Sequence, residues 1–244
     1  MMDQRVFIIC ILALPLGVWA QKDQRQDPST LLREVVQKMK QQKGYRIEFE
    51  SELKIPDSDS PRQKGTILVI NPDTVYVNFE GTGKQRVVAI RKGKRILQRH
   101  PILEEWLPPE VMGEAGIGQG IQDPNHILEV LLRHAAGAKS KGDKELRFIE
   151  IRIKGKEVLD MLAEYGLDAS TVEPERSNLV INLRIDGKKT LIKGFTIEAR
   201  LMGASQKIKG KYLYYKAKAK IEDYNRPLKL DLPEGVKKRL GLAQ

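Results

Sequence analysis

The repeat of apolar positions changes period several times along the chain, and each change marks an element. After Asp27-Pro28, Asp as cap and Pro in the first turn, the side chains of Leu31, Leu32, Val35, Val36 and Met39 fall on one face of a predicted helix that Gly44 ends. The period then drops to two. Tyr45, Ile47, Phe49, Ser51 and Leu53 share one side of a predicted strand, and Arg46, Glu48, Glu50 and Glu52 share the other. Residues 57–64 are polar and contain Pro61, which predicts a loop. Two hairpins follow: residues 66–70 and 74–79 around Asn71-Pro72-Asp73, then 86–90 and 95–98 around residues 91–94.

The pattern breaks at Pro101. Residues 102–106 are short and apolar, Pro108-Pro109 interrupts them, and Gly113, Gly116, Gly118 and Gly120 make a pliable stretch. A helix resumes at Asp123-Pro124, where Ile127, Leu128, Val130, Leu131, Leu132 and Ala135 cover more than half of its surface, a wider face than packing on one sheet demands. Residues 101–136 therefore read as a lid. Beyond a polar run at 138–144, Ile149, Ile151 and Ile153 alternate with Glu150 and Arg152 as a strand, and Val158, Leu159, Leu162 and Tyr165 give a helix stopped by Gly166. Residues 168–177 lack periodicity and read as a loop. Three long strands close the chain at 179–185, 190–201 and 208–221, and their length favours a strongly curved sheet. Leu230, Leu232 and Pro233 dock a tail whose end, from Lys237 onward, reads as frayed and basic. The expected fold class is mainly antiparallel β with helices, a half-barrel sheet under a helical lid.

Residues 1–20 have the layout of a signal peptide: Arg5 as positive flank, an apolar run from Val6 to Val18, and Ala20 at the cleavage position. The expected mature chain, residues 21–244, is a single extracytoplasmic domain. Cys10 is the only cysteine and lies within the leader, without the small residues a lipid-anchoring site needs before it. Neither a disulfide nor a lipid anchor is expected. The net charge is +11, which favours anionic headgroups, a polyanionic envelope polymer or an acidic protein as partners over nucleic acid in that compartment. Lys216, Lys218 and Lys220 share the polar face of the last strand and are available for such contacts.

No catalytic cluster, metal site or cofactor motif emerges, so enzymatic activity is not expected. His126 and His134 stand eight positions apart on one predicted helix, which separates them by roughly 12 Å and excludes a shared zinc ion. The glycines of residues 113–120 lack the Lys-Ser/Thr of a phosphate loop. More informative is the apolar excess of residues 102–106 and 127–132. If both segments complete a core, no ligand is implied; if they line a cavity under a curved sheet, an acyl chain suits it. The candidate wall comprises Phe49, Phe79, Trp106, Ile127, Leu128, Leu131, Phe195 and Tyr215, with Tyr45 and Phe148 as further aromatic candidates.

Three local stretches carry a resemblance: the helix at 31–39 leading into 45–53, the run Gly65-Thr66-Ile67-Leu68-Val69-Ile70 before Asn71-Pro72, and the ending Ile221-Glu222-Asp223-Tyr224-Asn225-Arg226-Pro227. With the order of elements, they make the chain similar to the exported carriers that share the fold of the periplasmic lipoprotein carrier, its outer-membrane acceptor and mycobacterial glycolipid-carrying lipoproteins. The resemblance spans residues 28–233. It implies an unclosed barrel around a hydrophobic cavity, and periplasmic shuttling of a lipid or acylated molecule by a soluble monomer. The chain departs from those carriers in its glycine-rich segment around Gly116, its loop at 168–177 and its missing anchor, so the resemblance assigns no cargo. The competing expectation is a non-enzymatic scaffold that recognises an envelope protein or polyanion through its basic strand faces.

Overall fold

The computed structural model describes residues 27–57, 60–81, 86–112, 121, 124–164, 170, 172–204 and 209–242. The expected leader at 1–20, the glycine-rich residues 113–120 and part of the loop at 168–177 lie outside them. A helix, α1 (Pro28–Lys40), precedes six strands: β1 (Tyr45–Lys54), β2 (Arg62–Asn71), β3 (Thr74–Glu80), β4 (Arg86–Lys92), β5 (Arg95–Arg99) and β6 (Trp106–Leu107). Then come α2 (Pro124–Arg133), β7 (Lys139–Gly142), β8 (Leu146–Lys154), α3 (Lys156–Glu164), β9 (Val172–Asp186), β10 (Leu191–Gly203), β11 (Tyr212–Glu222) and α4 (Glu234–Leu240).

All eleven strands form one antiparallel sheet in the order β6-β5-β4-β3-β2-β1-β11-β10-β9-β8-β7. Each half is a meander, and the halves join where β11 returns to pair with β1. The two ends do not meet, so the sheet is an open half-barrel. Register shifts at Val69/Asn71, Ile192/Gly194 and Arg200/Met202 add local twist. Gly65 permits a close approach: a Cβ there would stand 2.3 Å from Cβ of Phe79. The rings of Phe49 and Phe79 close over this gap from the flanking strands, edge to face at 6.1 Å.

The concave face carries the main core. On β1, Tyr45, Ile47 and Phe49 point inward, opposite Ile67 and Val69 of β2 and Ile221 and Ala219 of β11. Asp27 caps α1 by accepting the Thr30 N–H at 2.9 Å and the Ser29 hydroxyl at 2.7 Å, and these bonds hold its carboxyl below the usual range. Leu31, Leu32, Val35, Val36 and Met39 of α1 are buried against the sheet, and α3 adds Val158, Met161 and Leu162 over its β8–β9 side.

A second, smaller cluster occupies the opposite face. Ile90 and Leu97 alternate with inward-facing Ala89 and meet Leu232, Val236 and Leu240 of the C-terminal segment, with Tyr76 and Trp106 packed beside them. The end of the chain is thus a docked helix rather than a frayed tail. Val236 and Leu240, four apart, supply its buried stripe, and Gly241 caps it at φ 64 in the left-handed region. Two expected loops are also strand. β2 begins at Arg62 because Glu52 and Arg62 pair across the ladder, and β9 begins at Val172, where the Ser177 hydroxyl bridges the Glu173 carbonyl and the Met202 N–H.

The ending singled out in the sequence works as a clasp. The Tyr224 hydroxyl donates to the Ile192 carbonyl and lies 3.4 Å from the Met39 sulfur, while Asn225 accepts the Lys43 N–H at 2.7 Å. Arg46 reaches Asp223 at 3.1 Å. These contacts tie the exit of β11 to the α1–β1 turn.

Candidate functional site

A cavity of about 260 Å³ lies between the concave face and the helices. Its floor is laid by the centre of the sheet, where inward positions of β1, β2, β9, β10 and β11 converge: Ile47 and Phe49, Ile67, Ile181 and Leu183, Ile192, Phe195 and Ile197, Tyr215, Ala217 and Ile221. Met39 of α1 and Ile127, Leu128 and Leu131 of α2 form its roof. Lys218 is the one charged residue among the seventeen that line it, and its exposed side chain belongs to the outer face of the strand. Burial raises the Tyr215 phenol above its ordinary range, with a hydrogen bond to Ser51 opposing the shift. The lining offers mainly apolar contact.

The roof is held from outside. Lys40 at the end of α1 donates to Glu129 of α2 at 2.5 Å, and this bond, with the lysine's charge, lowers the Glu129 pKa. At the other end, His134 Nδ1 lies 3.3 Å from Glu157 of α3. The helix rests on the cavity by an apolar face, and polar contacts reach from it and its C-terminal turn to both flanking helices.

Of the residues expected to form a wall, Phe49, Ile127, Leu128, Leu131, Phe195 and Tyr215 surround this cavity. Phe79 stands behind it, against the ring of Phe49. Trp106 is a correction. It belongs to the cluster on the opposite face, where Arg239 of α4 donates to its carbonyl at 2.5 Å. The lid expected at 101–136 is accordingly divided: α2 roofs the cavity, whereas residues 101–112 follow the far edge of the sheet, with Ile102 83% exposed. Pairing of β6 with β5 pulls that half away from the concave side.

The alternation of period two already marked most of the remaining lining residues as inward. Periodicity separates inward from outward positions, but it does not separate a lining residue from a packed one. Whether facing side chains meet or leave a gap depends on curvature and on where the helices land.

The outer face between β1 and β11 is self-compensating. Glu48, Glu50 and Glu52 stand opposite Lys220, Lys218 and Lys216, and Lys216 also pairs with Glu198 at 2.9 Å. A wider groove of about 640 Å³ opens on this side, lined by Glu50, Glu52, Arg62, Lys64 and their neighbours, with Arg62 bound to Glu52 at 2.8 Å. Its charges would have to be desolvated by an apolar ligand. Lys216 and Lys220 are thus matched by Glu198 and Glu222, and Lys218 faces Glu50 across the ladder.

Among the described residues, no group of His, Cys, Asp and Glu is arranged to hold a metal ion, and no helix is long and apolar enough to cross a membrane. No family model and no curated protein matches the sequence. Solved structures align with most of its length. Mycobacterium tuberculosis lipoprotein LppX aligns over 83% of this chain and 97% of its own at 12% identity and a TM-score of 0.46. LprF from Mycobacterium bovis aligns over 84% and 96% at 10% identity and a TM-score of 0.44. A LolA superfamily protein from Nitrosomonas europaea aligns over 86% and 96% at 8% identity and a TM-score of 0.32. These are likenesses of fold. They assign no cargo or partner to this chain.

Proposed function

We propose that the protein binds a lipid or acylated molecule reversibly outside the cytoplasm, seating one acyl chain between the concave sheet and α2. The apolar cavity carries this reading. If a methylene takes about 30 Å³, close to a water molecule's share of the liquid, 260 Å³ holds roughly nine methylenes. Their transfer from water is worth roughly 7 kcal/mol, from which the costs of association are subtracted. Binding of that strength suits exchange. A chain leaving a bilayer gains little by entering the cavity, because both environments are apolar, so loading and unloading both stay accessible.

In this reading α2 is the moving part, since it covers the cavity, and its motion must lift Leu128 and Leu131 from the apolar lining as well as release the Lys40–Glu129 contact. The paired charges of the outer face weigh against a scaffold that recognises a polyanion. Native mass spectrometry and lipid extraction of protein purified from its own host test the proposal. Bound acyl species are expected; protein that emerges empty and ignores fluorescent fatty acids would remove it.

A further inference from the structure

Of the four large apolar side chains that stand exposed among the described residues, three lie within ten positions of one another: Ile102, Leu103 and Val111, at 83%, 60% and 64% exposure. Ile102 and Leu103 occupy the turn between β5 and β6. This turn is built, not frayed. His100 Nδ1 accepts the backbone N–H groups of both Ile102 and Leu103, at 3.2 and 3.1 Å. The His100 N–H donates to the Glu105 carbonyl at 2.7 Å, the Glu104 N–H returns to the His100 carbonyl at 3.0 Å, and Glu104 takes a left-handed φ of 59°. The imidazole thus fixes the backbone from within, leaving two adjacent aliphatic side chains in water with nothing in the fold that needs them there.

We propose that this turn docks the protein on an anionic lipid surface, with Ile102 and Leu103 entering the interfacial layer of the bilayer. A protruding aliphatic pair without a surrounding rim suits a fluid surface better than a shaped protein pocket. Charge points the same way. The chain carries +11, and Glu104, the acidic residue next to the pair, is neutralised by Arg99 at 3.0 Å. Exposed Glu105 and Glu110 remain on this edge. Against them, Arg239 in the last turn of α4 holds the Trp106 carbonyl, and exposed Lys238 lies in the same turn, while Lys237 is bound to Glu234. Basic side chains behind an aliphatic tip are a combination that bilayer interfaces favour. The tip belongs to the far edge of the sheet, away from the cavity roof, so docking leaves α2 free to move.

The test is co-flotation of protein purified from its host with vesicles of phosphatidylethanolamine and phosphatidylglycerol, against vesicles of phosphatidylcholine alone. Wild type should float with the anionic vesicles, and the pair Ile102→Asp with Leu103→Asp should lower that partition by at least ~10-fold. The milder pair Ile102→Ser with Leu103→Ser should lower it too, and both variants should melt like wild type and still take up a fluorescent fatty acid. Unchanged flotation of either pair, or equal binding to both vesicle types, overturns the proposal. So does marked destabilisation of the serine pair, which would mean that the chain itself covers these side chains. Failure of wild type to take up the fatty acid would instead count against the cavity reading and leave the docking result standing.

Discussion

Ala217→Leu separates binding from stability, because it should move the two in opposite directions. Ala217 sits on β11 between Ser51 of β1 and Ile197 of β10, only 7% exposed, and lines the cavity. Leucine adds three heavy atoms. At about 30 Å³ each they fill roughly a third of the 260 Å³ available. The empty protein should become more stable, since new apolar contacts form where none existed. A bound chain, by contrast, loses room for about three methylenes, worth roughly 2.4 kcal/mol or a ~50-fold loss of affinity. Thermal melting of delipidated protein and titration with a fluorescent fatty acid give both readouts from one preparation. A raised melting temperature with undiminished affinity would show that the chain binds elsewhere, and would refute the assignment of this cavity. A lowered melting temperature would show that the gap is too tight for leucine.

Glu129→Gln should leave global stability nearly unchanged while speeding amide exchange in α2, because the contact with Lys40 holds the roof without contributing to the core. The same contact gives a pH dependence. The carboxylate's folded pKa is lowered, so its stabilising effect is present above the ordinary Glu value of 4.5 and is lost as pH falls through the depressed folded value; probe release should accelerate below that pH and do so less in the variant. Tyr224→Phe should cost about 1–2 kcal/mol in urea unfolding, since it leaves the Ile192 carbonyl without its donor. Val236→Asp should cost roughly 3 kcal/mol and shift the emission of Trp106, its neighbour in the second cluster, whereas a soluble fatty acid should leave that emission unchanged.

Much of the sheet was legible because one face of nearly every strand is buried. The run from Tyr45 to Leu53 and the alternation from Leu213 to Ile221 fixed inward and outward positions, and the ladder between β1 and β11 pairs those two sets directly. The first residues of β9 were hidden for the opposite reason. Their segment is polar, and pairing with the end of β10, helped by the Ser177 hydroxyl, outweighs the missing alternation. In α4 the signals were present but compressed into seven residues: Pro233 before it, Glu234 in its first turn, basic residues in its last and Gly241 as cap. Trp106 was misplaced because an apolar residue announces burial without announcing the face. Only the pairing of β6 with β5 decides that it meets the outer cluster.

Because β6 and β7 never join, the half-barrel has no seam. Widening a closed barrel requires breaking a ladder of hydrogen bonds, whereas an open sheet of this order can change its twist with every ladder intact. Its curvature is therefore a compliant spring, and the rest length of that spring is set by the bulges and by the helices wedged against the concave side. The loose ends are also guarded. One edge strand is two residues long and runs into Pro108-Pro109, and the other is four residues long and carries Lys139 and Lys141, so neither offers a template on which a second copy could polymerise. The edges thus resist strand pairing with a second copy without closing the sheet.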